Sequence, residues 1–267
     1  MKTVHVHGID LATLDQGAGP PVLLVHAFPL NHSMWDAQIA ALAATHRVIA
    51  PDLRGFGQSG ISEGTVTMEQ FADDLAGLLD ALDVAEPVVF CGLSMGGYIG
   101  WQFYRKHGQR VRAMILCDTR AVADTPEMRA ARREMIDRVL REGPEPLAQA
   151  MIPKLLAAST VASRPEIVAS VQRMILANDP RGLAAAARGI AERPDATALL
   201  PEIRCPCLVL VGKFDAISTL EEMRCVAAKI PGAKLVTIAG AGHLTPVEQP
   251  AQTTAAIESF LKGLPGA

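Results

Sequence analysis

The chain has 267 residues, of which 49% are hydrophobic and 20% charged; that is enough for a large core in one or two domains. A net charge of −3 offers no global basic field for nucleic acid or an anionic membrane, and 4% aromatics supplies no base-stacking platform. No apolar run nears the roughly 18 residues needed to cross a bilayer, and the opening MKTVHVHGID has no charged flank leading into a long apolar stretch, so no signal peptide is expected and a cytoplasmic location is.

In chain order, residues 3–7 and 9–14 read as two short strands with a turn at Gly8. PVLLVHAF (21–28) is a strand, and SMWDAQIAALAA (33–44) has helical spacing with Ser33 as its expected N-cap. RVIAPDL (47–53) is a strand. TMEQFADDLAGLLDAL (67–82) is a helix whose Phe71, Leu75, Leu78, Leu79 and Leu82 recur three or four apart, with Thr67 and Gln70 matching a capping box. PVVFCGL (87–93) is a strand, SMGGYIGWQFYRKHG (94–108) a helix and RAMILCDT (112–119) a strand. From about 122 to 190 strand signals vanish, and four helices separated by Pro and Gly are expected. Alternation then resumes with strand 207–215, helix 220–230, strand 233–240 and helix 250–264.

Strands that are apolar throughout are buried on both faces, and their alternation with helices makes a mostly parallel, doubly wound sheet. The expected organisation is a core of residues 1–121 and 191–267 with a helical cap, 122–190, inserted after the sixth strand. In such sheets ligands bind beyond the carboxyl ends of the strands, so chemistry is sought there.

Gly92-Leu93-Ser94-Met95-Gly96 is G-x-S-x-G between a strand and a helix, the context of a nucleophile elbow. A turn that sharp strains its central residue and needs small neighbours, which Gly92, Gly96 and Gly97 provide. A serine hydroxyl needs a base. His243 leaves the last strand in the small-residue loop IAGAGH, and Asp215 follows the preceding strand in VGKFD. Ser94, Asp215 and His243 each end a strand and occur in the order expected for an elbow-based triad. Asp118, after ILC, is the alternative acid. The oxyanion donors are expected to be the backbone N–H groups of Met95 and Phe28, with His26 shaping the loop between them; their side chains should line the acyl pocket. His5 and His7 read as surface residues and His32, His46 and His107 as solvated.

Gly55-Phe56-Gly57-Gln58-Ser59-Gly60 spells G-x-G-x-x-G, but no helix opens there, so it reads as a tight structural turn. The five cysteines, mostly in or beside strands, read as small buried hydrophobes of a reducing compartment; Cys205-Pro206-Cys207 is too tight for a CxxC motif and no zinc site is completed, so no metal is expected.

Together HAFPLNHSMW, PDLRGFGQSG, GLSMGG, LCDT, GKFD and GAGH resemble the α/β-hydrolase superfamily over almost the whole chain, and within it the small bacterial carboxylesterases and 3-oxoadipate enol-lactonases. The resemblance implies an eight-stranded sheet with the second strand antiparallel, a Ser-His-Asp triad and no cofactor. Ala27 stands where many members have glycine, and GKFDAIS lacks the proline often found after the aspartate. The expected partner is a small-molecule ester or lactone, not nucleic acid or a membrane, with the oligomeric state left open. Acyl transfer or perhydrolysis on the same triad, and a non-catalytic small-molecule receptor, are the rival readings. Met128, Met151 and Leu155 are candidate pocket residues, as are Met135, Leu156 and Met174, although packing between cap helices is the plainer reading for most of them. Arg129, Arg132 and Arg133 either meet a substrate carboxylate or form a solvated helix face beside Glu127 and Glu134.

Overall fold

The computed structural model describes residues 1–265. The first half of the chain runs β1 (Lys2–Val6), β2 (Ile9–Gln16), β3 (Pro21–Val25), α1 (Asp36–Leu42), β4 (Arg47–Pro51), α2 (Met68–Ala81), β5 (Val88–Leu93), α3 (Met95–His107) and β6 (Val111–Cys117). Five helices follow: α4 (Pro126–Glu142), α5 (Glu145–Leu155), α6 (Ala158–Ser163), α7 (Pro165–Leu176) and α8 (Pro180–Glu192). The alternation closes with β7 (Cys207–Gly212), α9 (Leu220–Lys229), β8 (Lys234–Ile238), α10 (Thr245–Glu248) and α11 (Pro250–Lys262).

The strands form one sheet in the order β1-β2-β4-β3-β5-β6-β7-β8. β2 is antiparallel to both β1 and β4, and every pairing from β4 to β8 is parallel. β3, β5 and β7 are buried at every residue, which explains their continuous apolar runs. The edge strands β1 and β8 are mostly exposed. α1 packs on α11 and α2 on α3. Thr67 caps α2 by accepting the Gln70 N–H at 3.1 Å, and its apolar stripe of Phe71, Leu75, Leu78 and Leu79 is buried.

Several boundaries differ from expectation. β3 stops at Val25 rather than running to residue 28, because His26 turns its ring onto the carbonyl of the next residue, Ala27, and onto Leu53 in the loop after β4. The turn before α1 is capped by Asn31, not Ser33: Asn31 Oδ1 accepts the Ser33 N–H at 3.1 Å, and a 3₁₀ turn, His32–Trp35, precedes the α-helix. The insertion holds five helices where four are expected, since the short α6 has no apolar period to reveal it.

The inserted helices sit against the core through small residues of α8. Val66 N–H donates to Ala185 O at 3.1 Å. Gly182 touches Gly55 backbone to backbone, so that a β-carbon on either would collide with the other's main chain. The G-x-G-x-x-G segment is a closed turn: Gly55 N–H bonds Gly60 O at 2.8 Å, and Asp52 Oδ2 accepts the Gln58 N–H at 2.9 Å.

Candidate active site

Ser94 joins β5 to α3 with φ +52° and ψ −109°, a conformation that L-residues avoid. The surroundings hold it there. Ser94 N–H donates to Cys117 O at 3.0 Å on the neighbouring strand. Its carbonyl accepts from Gly97, Tyr98 and the Thr119 hydroxyl. A side chain at Gly92 would meet the Gly96 carbonyl, and one at Gly97 would meet Thr119, so the turn closes only with glycine at both. Ser94 keeps 8% exposure.

His243 and Asp215 arrive from the ends of β8 and β7. His243 Nδ1 lies 2.8 Å from Asp215 Oδ2, and both groups are buried. The other carboxylate oxygen accepts the N–H groups of Ile217 at 2.7 Å and Ser218 at 3.0 Å. An acceptor-only carboxylate at Nδ1 places the ring proton there and leaves Nε2 with its lone pair. Ser94 and His243 are not joined by a hydrogen bond in this structure. Neither Ser94 Oγ nor His243 Nε2 is one of the sealed, partnerless polar atoms, which among the described residues are Trp35 Nε1, Gln38 Oε1 and Arg110 Nε.

Asp118 ends β6 beside this pair with φ +44°. It does not bond the histidine. Its Oδ1 accepts the Gly212 N–H at 2.7 Å, and its Oδ2 lies 2.6 Å from Thr245 Oγ1. Burial, and then the charge of neighbouring Asp215, pushes its carboxyl far above the usual carboxylate range. The surroundings of Asp118 thus oppose its ionisation.

The chain leaving β3 runs against the elbow: a β-carbon on Gly96 would meet the Val25 and His26 carbonyls. His26 donates from Nδ1 to Ala27 O at 3.0 Å and accepts the Leu53 N–H on Nε2 at 3.0 Å. Burial lowers its pKa to about 4, so the ring is neutral and can accept. The Phe28–Pro29 peptide is cis. Phe28 packs edge-on against Phe56, at 6.2 Å between ring centres, and Met95 is wholly buried. Among the described residues no backbone carbonyl takes the Phe28 N–H, and Met95, the first residue of α3, has no intrahelical acceptor for its own. Asn178, between α7 and α8, pins this region: its Nδ2 donates to Pro29 O at 2.8 Å and Met174 O at 2.9 Å, and its Oδ1 accepts the Gly57 N–H at 2.7 Å.

The remaining candidates are scattered. Leu155 is buried, and its carbonyl accepts the His243 N–H at 3.0 Å. Met151 is partly buried against the core, and Met128 lies near the Arg120 guanidinium. Arg132 is spent on Asp124, while Arg129 and Arg133 line an outer groove of about 410 Å³ with Asp137, Arg188 and Glu192. The buried arginines Arg54 and Arg193 pair with Asp74 and Asp124, each at 2.7 Å. His32 is not solvated as expected: it is held on Asp52 at 2.6 Å. Burial alone would raise Asp52, but hydrogen bonds from His32 and Gln58 outweigh it and hold the carboxyl below its ordinary value. Sequence reading missed Asn178 and Glu248, whose partners lie far away along the chain and carry no local signature.

A family model described as the alpha/beta hydrolase fold matches residues 20–250. The chain is 28% identical over 254 residues to 3-oxoadipate enol-lactonase 2 of Acinetobacter baylyi, covering 95% of this chain and 93% of that protein. A thermophilic esterase from Thermogutta terrifontis, solved with malate bound, superposes with a TM-score of 0.96 at 50% identity over 98% of both chains. The enol-lactonase of Burkholderia xenovorans LB400 follows at 0.91 and 31%, covering 98% of this chain and all of that one. With the strand order, the elbow and these likenesses in agreement, the chain belongs to the α/β-hydrolase fold family.

Proposed function

We propose that this protein is a serine hydrolase that cleaves small, uncharged carboxylic esters through an acyl-enzyme. An enzyme of the carboxylic-ester hydrolase type fits relatives named as esterases and enol-lactonases. The observation that carries the catalytic assignment is the buried Asp215–His243 hydrogen bond, 2.8 Å long, formed beyond the carboxyl ends of β7 and β8 in the same sheet whose β5 ends in the serine elbow.

In this reading His243 Nε2 takes the Ser94 proton as Oγ attacks the ester carbonyl. Asp215 keeps the Nδ1–H tautomer and stabilises the imidazolium. The N–H groups of Phe28 and Met95 receive the oxyanion, each contributing on the order of 3 kcal/mol. The imidazolium returns its proton to the leaving alcohol, and water activated by the same ring then releases the acid and restores Ser94. Residues 122–190 are assigned as the cap over this site, with Leu155 the pocket candidate nearest the base.

The preference for a neutral substrate rests on charge. A carboxylate drawn into an apolar site needs a cation. Among the described residues the buried arginines are each committed to an aspartate, and Arg129 and Arg133 face the outer groove. p-Nitrophenyl esters of graded chain length, assayed beside neutral and carboxylated lactones, test both points. The neutral esters should turn over fastest, and Ser94→Ala should lower kcat by roughly 10⁶. A Ser94→Ala protein that keeps most of its activity removes the serine from the mechanism, and a faster carboxylated lactone removes the charge preference.

A further inference from the structure

The loop carrying His243 and the inserted helices meet at one seam. Gly242 lies against the Leu156–Ala157 peptide so closely that a β-carbon there would come within 2.6 Å of Ala157 N. Glu248, at the end of α10, is completely buried under this seam. Its Oε1 accepts the N–H of Gly242, the residue before His243, at 2.7 Å. Its Oε2 accepts the Ala157 N–H at 2.8 Å and the Thr160 hydroxyl at 2.6 Å. Its backbone carbonyl takes the Arg164 guanidinium at 2.6 Å.

A buried carboxylate is tolerated when hydrogen bonds replace its water. Here three neutral donors do so, and they come from two separate pieces of chain: one from the histidine loop and two from the start of α6. Neither piece satisfies the carboxylate alone. If α6 lifts, Oε2 loses both donors, the carboxylate turns toward water, and the Gly242 N–H loses its fixed acceptor. His243 N–H loses Leu155 O in the same movement, since Leu155 closes α5 immediately before the seam.

We propose that Glu248 and Thr160 are positioning residues that couple seating of the cap to the orientation of His243. The base is held in its working direction only while the cap is down. This rests on the assignment of His243 as the base.

Thr160 is the place to test it, because it lies on the cap side and its hydroxyl bonds only the Glu248 carboxylate among the described residues. Wild type, Thr160→Ala and Thr160→Ser are compared by kcat and KM for p-nitrophenyl acetate and by hydrogen exchange of the segment 239–249. Thr160→Ala should lose on the order of tenfold in kcat, as small misplacements of a catalytic group do. Its KM should stay within about twofold, and exchange should accelerate in 239–249 but not in α2 or β5. Thr160→Ser should restore both, since the hydroxyl is what matters. If Thr160→Ala keeps the wild-type kcat or wild-type exchange across 239–249, or if Thr160→Ser is equally impaired, the coupling is overturned. A wild-type protein no more active than Ser94→Ala would instead sink the hydrolase reading, and the exchange comparison would still decide whether cap and loop are linked.

Discussion

Two aspartates end adjacent strands within the same buried neighbourhood, and their environments divide the work between them. Asp215 faces the imidazole and takes two backbone N–H groups, a setting for a charged carboxylate. Asp118 faces one N–H and a threonine hydroxyl, with burial and the Asp215 charge both opposing its ionisation. Their substitutions by asparagine should therefore differ. Asp118→Asn keeps an acceptor for the Gly212 N–H and a polar group within reach of the Thr245 hydroxyl, and asparagine tolerates the positive φ at this position. Its kcat should stay within about threefold of wild type, as steady-state kinetics would show, because this side chain bonds Gly212 and Thr245 rather than the imidazole and its surroundings already oppose a charge there. Asp215→Asn turns an amide donor toward Nδ1, favours the wrong tautomer and should lower kcat by roughly 10⁴. A reversal of these two effects would move the acid to the end of β6.

Among elements, the insertion and the core are joined by side chains that each serve several distant partners. Asn178 ties the α7–α8 junction to Pro29 in the proposed oxyanion loop and to Gly57 in the glycine-rich turn. Asn178→Ala leaves the Pro29 carbonyl and the Gly57 N–H without these partners, which should cost about 2 kcal/mol of unfolding free energy measured by urea denaturation; a loss below about 0.5 kcal/mol would show that water replaces the amide. Such ties also mark the limit of what sequence reveals. The eight strands, the long helices, the elbow at Ser94 and the placement of Asp215 and His243 at strand ends follow from local patterns: apolar runs, a 3.6-residue period, and glycines around one hydroxyl. α6 and α10 did not, since ASTVAS and TPVE are too short to show a period. Glu248 carries no signal in the sequence; only the fold brings Thr160, 88 positions away, onto its carboxylate. Arg132 reads in the sequence as part of a solvated helix face or as a substrate contact; only the fold reveals that Asp124 occupies it.

For the whole molecule, acid stability follows from the same buried groups. In the native state His26 titrates near 4, against an ordinary 6.5. The unfolded chain therefore binds more protons between these values, so stability is fully present above pH 6.5 and drains as pH falls through 4. The 2.5-unit depression corresponds to about 3 kcal/mol. His46, lowered first by burial, adds in the same direction. Asp118 has the opposite sign: its raised native pKa favours the folded state at low pH and costs stability as pH climbs above 3.8. Asp118→Asn should therefore gain stability relative to wild type as pH rises from 4. In that background, stability from urea unfolding should climb by about 3 kcal/mol between pH 4 and 6.5. A flat profile would mean that His26 is protonated in the native state.

The meeting of Gly55 and Gly182 carries a different consequence. Since each occupies the space the other's methyl group would need, neither can mutate alone without prising two parts of the protein apart. The pair behaves as a ratchet on inheritance: descendants are free to revise the outer surface of α8, but exchanging the whole insertion for another requires rebuilding its landing place in the same step.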